Sequence, residues 1–159
     1  MKLFWYTGIL LASAARVACA SQEPSTESEL LSDSELVYEM SGGIAGVVRS
    51  AKLVARGGQV SAEYAGDEIP GGGPNTGPLE RAPYLELWKE AERAGIWTFH
   101  VPPKEKGADL FQHEIRVRVG ARRHSITWTE GDGTTSEERN AMSISERILA
   151  LARDAAALR

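Results

Sequence analysis

Between residues 111 and 119 the chain reads FQHEIRVRV, with Phe111, His113, Ile115, Val117 and Val119 alternating with Gln112, Glu114, Arg116 and Arg118. A period of two marks a strand with one dry face. Residues 122–129, RRHSITWT, repeat the pattern, with His124, Ile126 and Trp128 on one face and Ser125, Thr127 and Thr129 on the other. A two-residue turn at Gly120 and Ala121 sets Val117 opposite His124, Ile115 opposite Ile126 and His113 opposite Trp128, keeping every apolar group on one side. A four-residue turn preserves that parity, whereas a three-residue loop without a bulge does not.

Upstream, ELVYEM from Glu35 reads as a strand, and VVRSAKLVA and QVSAEYA flank an RGG hairpin turn at residues 56–58. The glycine- and proline-rich GDEIPGGGPNTGPLERA that follows has the composition of a loop. A helix is predicted next: Pro83 suits its first turn, Tyr84, Leu87, Trp88, Ala91 and Ala94 recur at helical spacing, and Gly95 can close it in a left-handed cap. A last helix is placed by a capping box, Ser143 with Glu146, and by Ile144, Ile148, Leu151, Ala155 and Leu158 on one face. Strands, helix, strands, helix predict a small single α+β domain, an antiparallel sheet of about four to five strands with two helices packed on one face.

The N-terminus departs from this pattern. Lys2, an apolar run over residues 3–15 and the small-x-small ACA at residues 18–20 predict a signal peptide at 1–20. The run is too short to span a bilayer, which needs roughly 20 apolar residues. Export predicts a secreted or periplasmic protein, with lipidation of Cys19 and membrane anchoring through it as the alternative. Residues 21–34, SQEPSTESELLSDS, hold four acids, no base and only two large apolar groups, and predict a solvated tether. The folded domain is then expected at 35–159.

The whole chain carries a net charge of −4, and without residues 1–20 it has sixteen basic residues against 22 acidic ones, a net of −6. Nucleic acid, which needs a concentrated basic surface, is an unlikely partner by that balance. Cys19 is the single cysteine, so cleavage after Ala20 leaves no disulfide, thiol nucleophile or cysteine-bound metal.

The sequence carries no recognised catalytic signature. The run SGGIAG at Ser41, Gly42, Gly43, Ile44, Ala45 and Gly46 fits neither the dinucleotide fingerprint nor the P-loop. HEIRV offers a valine where a zinc peptidase needs its second histidine, and no nucleophile elbow exists. His113 and His124 share the dry face of one hairpin and read as core or rim histidines, and nothing in the spacing requires His100 or a carboxylate as a third ligand, so no metal and no cofactor is expected. A non-catalytic protein is the expectation. Two surfaces remain: the glycine run, either a turn or a contact loop where missing side chains let another backbone approach, and a local basic strip at Arg116, Arg118, Arg122 and Arg123.

YEMSGGIAG, LELWKEAERAGIW and DLFQHEIRVRVGARRHSITW, followed by an amphipathic helix, together resemble the emfourin family of small bacterial proteins. The likeness covers roughly residues 36–158 and is sharpest at Ser41, Gly42, Gly43, Ala45, Gly46, Asp109, Phe111 and residues 120–124. The leader, the acidic segment and the DEIPGGGPNTGP insertion depart from the family's compact form. The resemblance implies an inhibitor of protealysin and other thermolysin-like metallopeptidases, with a secreted or periplasmic peptidase as partner and the loop Ser41 to Gly46 covering the cleft. The alternative expectation is an envelope protein that binds a ligand or partner through the open face of its sheet, using the arginine strip.

Overall fold

The computed structural model describes residues 23–42, 49–66, 73–102, 110–129 and 135–157. In chain order these form α1 (Glu27–Ser32), β1 (Asp33–Gly42), β2 (Arg49–Arg56), β3 (Gln59–Ala65), β4 (Asn75–Pro78), α2 (Arg81–Ala94), β5 (Phe111–Val119), β6 (Arg122–Thr129) and α3 (Ser136–Ala157). The strands make one antiparallel sheet in the order β4-β3-β2-β1-β5-β6. The architecture is therefore the α+β domain that the pattern predicts, with a sixth strand and a third helix added.

The β5–β6 hairpin has the predicted register: Val117 faces His124, Ile115 faces Ile126 and His113 faces Trp128. Gly57 and Gly58 turn the β2–β3 hairpin at φ +55° and +80°, backbone angles that residues with a Cβ seldom adopt. α2 ends at Gly95, φ +92°, whose N–H bonds back to the carbonyls of Ala91 and Glu92. Even-numbered positions of β1 and odd-numbered positions of β5 point toward the helices. Leu36, Tyr38, Ile115 and Val117 bury there with Leu53 and Ala62 from β2 and β3 and with Tyr84, Leu87, Trp88, Ile144 and Ile148 from α2 and α3. α3 lies across β1 to β4, and α2 packs beside it.

The structure corrects three expectations. Residues 27–34 are no tether: Thr26 and Glu29 form a reciprocal capping box around α1, and Leu30 is buried. The backbone accounts for the rest of this difference, since Gly58 N–H bonds to the Leu31 carbonyl, Gly57 N–H to that of Ser32 and Gly120 N–H to that of Asp33. Two hairpin turns thus close on the α1–β1 junction. The domain therefore begins before Glu35. β4 forms inside the stretch expected as loop, because Gly77 lets the strand come against the backbone of α3 at Ala155. Finally, α3 starts at Ser136, with Thr135 Oγ1 accepting from the Glu138 N–H at 3.1 Å, so Ser143 and Glu146 sit in the helix interior. Residues 1–22, which include the expected leader and Cys19, lie outside the described residues, as do Asp109 and Leu158.

Candidate functional site

The glycine run begins where β1 ends. Ser41 and Gly42 are exposed, and each still pairs with β5, Ser41 with Gln112 and Gly42 with Phe111. Gly42 holds φ +116°, and a Cβ there would lie 2.9 Å from the Leu110 carbonyl oxygen. Only glycine fits both the angle and the space. Gly43, Ile44, Ala45 and Gly46 lie outside the described residues. Ladder pairing of β1 with β2 resumes between Met40 and Arg49, so the segment between them leaves and rejoins two inner strands of the sheet.

Beneath that end of the sheet, three aromatic rings join β1, β5 and β6. The His113 ring stacks on Trp128 with centroids 5.0 Å apart, and Tyr38 lies over His113 at 6.0 Å. The Tyr38 hydroxyl and His113 Nδ1 share a hydrogen bond of 2.8 Å. All three side chains are buried. The cluster packs the strand ends that carry Ser41 and Gly42 into the core, leaving little freedom for the base of the loop.

The four arginines of the expected strip do not form one surface. Arg116 and Arg118 project from the open face of the sheet, and both are taken up by acids of β1. Arg116 holds the Glu39 carboxylate with both Nη atoms, at 2.9 and 2.5 Å, and reaches Glu114 at 2.8 Å. Arg118 bonds Asp33 at 2.6 Å and approaches Glu35 at 3.7 Å, while Lys52 stands 3.6 Å from the same Glu35 carboxylate. Ser125 Oγ donates to Glu114 at 2.7 Å. The electrostatic consequences agree: the hydrogen bond from Arg118 holds the Asp33 carboxyl below its ordinary range. Those to Glu39 and Asp33 raise the Arg116 and Arg118 guanidinium pKa values. Arg122 lies on the helix side, its guanidinium 3.8 Å from the Trp97 ring centroid, a cation–π contact. Arg123 alone of the four is exposed on the open face.

Pairing between β1 and β5 is the signal that reveals this compensation. Asp33, Glu35 and Glu39 alternate along one strand, Arg116 and Arg118 along the other, and the register sets Glu35 opposite Arg118. Reading β5 and β6 alone leaves those acids out. A second hub is also missed. Glu92 on α2 accepts from the Ser25 N–H at 3.1 Å, from Ser25 Oγ at 2.7 Å and from Trp97 Nε1 at 3.1 Å, fastening the segment before α1 to the end of α2.

The histidines do not converge. His100 is exposed, His113 is in the aromatic stack, and His124 Nε2 bonds the Phe99 carbonyl at 3.1 Å. Among the described residues no group of three or more histidine, cysteine, aspartate or glutamate side chains is arranged to hold a metal ion. A groove of about 1070 Å3 runs along the β3–β4 edge past Arg56, Gln59, Glu80 and Arg81. Those four side chains are exposed. A second hollow of about 560 Å3 lies among Arg116, Arg118, Arg123 and Ser125. Among the described residues no helix is long and apolar enough to cross a membrane. No protein-family model matches the chain, and no curated protein matches it either.

Proposed function

We propose that this chain is an exported, non-catalytic protein that inhibits a thermolysin-like metallopeptidase, with the loop begun by Ser41 and Gly42 as the contact that occludes the cleft. The reading starts from the likeness to the emfourin pattern. The observation that carries it is mechanical: the loop springs from inner strands whose ends are tied by ladder pairing, by the glycine-only turn-off at Gly42 and by the Tyr38–His113–Trp128 stack. A segment held at both ends loses less freedom when a partner captures it, so more of its contact energy appears as affinity. Glycines at positions 42, 43 and 46 let an enzyme backbone approach closely, and Ile44 supplies an apolar group to fill a pocket.

The alternative, ligand binding through the arginine strip, has weaker support. Arg116 and Arg118 already satisfy carboxylates of their own sheet, and Arg122 is on the other side. An anionic ligand would have to displace those partners.

Substitution at the loop tests the proposal. Gly43→Trp and Ile44→Asp are expected to raise the inhibition constant against a thermolysin-like peptidase at least tenfold, with an unchanged urea midpoint. Retained inhibition in both variants would remove the loop from the contact, and Arg116→Glu with Arg118→Glu would then be the pair to measure.

A further inference from the structure

The two edges of the sheet differ. β4 is four residues long, ends in Pro78, follows Pro74, and has α3 pressed against Gly77. Short length, proline and a covering helix are the ordinary protections of an edge strand. Among the described residues, β6 has none of these. Its eight residues, Arg122 to Thr129, run in unbroken antiparallel register with β5, without proline or bulge. Among the described residues, no backbone hydrogen bond outside the β5 ladder reaches β6. Its last five residues are Ser125, Ile126, Thr127, Trp128 and Thr129, most of them strand formers that carry no charge to repel another strand.

We propose that β6 is the contact through which two copies of this chain pair, edge to edge and antiparallel, extending the six-stranded sheet across a two-fold axis. Charge placement selects a second copy as the occupant. The cations of β6 sit at one end, and an antiparallel two-fold inverts the second strand. Opposed residues must share a face, which leaves two central registers. With Ser125 on the axis, Arg123 falls opposite Thr127 of the second copy and Arg122 opposite Trp128 of the second copy. With Ile126 on the axis, Arg123 falls opposite Thr129 of the second copy and Ser125 opposite Thr127 of the second copy. Neither register sets two cations against each other, and both line up hydroxyl side chains on the open face, a favourable cross-strand pairing. An isologous contact of this kind closes as a dimer. Its far edges are the two protected β4 strands, so it does not propagate.

The topology fixes a consequence. β6 runs in the same direction as β1, since each is antiparallel to β5. The two-fold therefore sends the Ser41–Gly42 ends of the two copies to opposite ends of the joined sheet, where neither obstructs the other.

Sedimentation equilibrium across a concentration series tests the pairing and does not depend on any peptidase. The purified protein is expected to weigh twice its protomer mass at micromolar concentration. Ser125→Lys with Thr127→Lys opposes cations in both registers and is expected to weaken dimerisation at least tenfold while leaving the circular dichroism spectrum unchanged. Arg123→Glu with Thr127→Lys removes the opposition and is expected to dimerise as the parent does, which separates charge repulsion from damage to the fold. A parent protein that stays monomeric at 100 μM or more overturns the proposal, as does a dimer that survives both lysines. Failure here leaves the peptidase reading standing, and loss of inhibition leaves this one standing.

Discussion

Gly77→Ala should be among the most damaging single methyl additions to the described residues. A Cβ at Gly77 would overlap the Ala155 carbonyl oxygen and come within 2.8 Å of the Ala155 carbonyl carbon and 3.5 Å of the Ala156 nitrogen. All three are backbone atoms of a 22-residue helix, so no side-chain rotation relieves the clash. Either β4 leaves the sheet or the end of α3 lifts from it, exposing Ala155 and Ala156, both now buried. Overpacking costs about 1–3 kcal/mol, and an overlap between two backbones belongs at the top of that range. With a urea m-value of about 2 kcal/mol/M, a loss of about 3 kcal/mol lowers the midpoint by roughly 1.5 M. Gly73→Ala is the control, because a Cβ there meets nothing within 4 Å, and its midpoint should match the parent within about 0.25 M. Equilibrium unfolding followed by tryptophan fluorescence reads both. A Gly77→Ala midpoint within about 0.25 M of the parent would refute the claim that β4 is held by backbone contact with α3.

Three further outcomes follow from the same structure. Tyr84→Phe removes the hydroxyl that donates to Ser34 Oγ at 2.6 Å in a fully buried site, and should cost about 1–2 kcal/mol by urea unfolding; a neutral result would mean that Ser34 is satisfied through Leu30 alone. Glu92→Ala cuts the bonds to Ser25 and Trp97, and should speed proteolysis before Thr26 and shift Trp97 emission to the red, whereas unchanged protection would show that the capping box suffices. Asp33, Glu29, Glu86 and Glu137 have carboxyl pKa values lowered in the folded state. Their contribution is present above the unfolded carboxyl values and disappears as pH falls through the folded ones. The urea midpoint should therefore drop on acidification below about pH 4, and Asp33→Asn should flatten that dependence; a midpoint insensitive to acid would contradict the assignment.

What the chain reveals of itself depends on how much of each element is written in side chains. The β5–β6 hairpin is legible to the residue, because each apolar position alternates and the turn length fixes the parity. α2 is legible too, with Pro83 in its first turn and Gly95 closing its end. α1 hides because two leucines among acids and serines look solvated, yet Leu30 finds the core and the carbonyls of residues 31–33 accept from glycines far along the chain. Its capping box, Thr26 and Glu29, is a local signal that composition outweighs. β4 hides for the opposite reason, since its value to the fold is the side chain that Gly77 lacks. At α3 two capping signals compete, and the earlier, Thr135 with Glu138, sets the start.

The candidate site divides in the same way. The glycine run is visible in sequence, and the structure supplies what it cannot: the base of the loop is anchored through β5 and an aromatic stack. The basic strip is visible as four arginines close in sequence, and its neutralisation is not. That depends on β1 acids roughly 80 positions away, at Glu39 to Arg116 and Asp33 to Arg118.

Titration of a purified thermolysin-like metallopeptidase with this protein, read by hydrolysis of a peptide substrate, is the most direct test of the proposed function. The account predicts that activity falls linearly and vanishes near one protomer per enzyme, and that Ile44→Asp abolishes the effect. Full activity at a tenfold excess of folded protein, across several such peptidases, would contradict it.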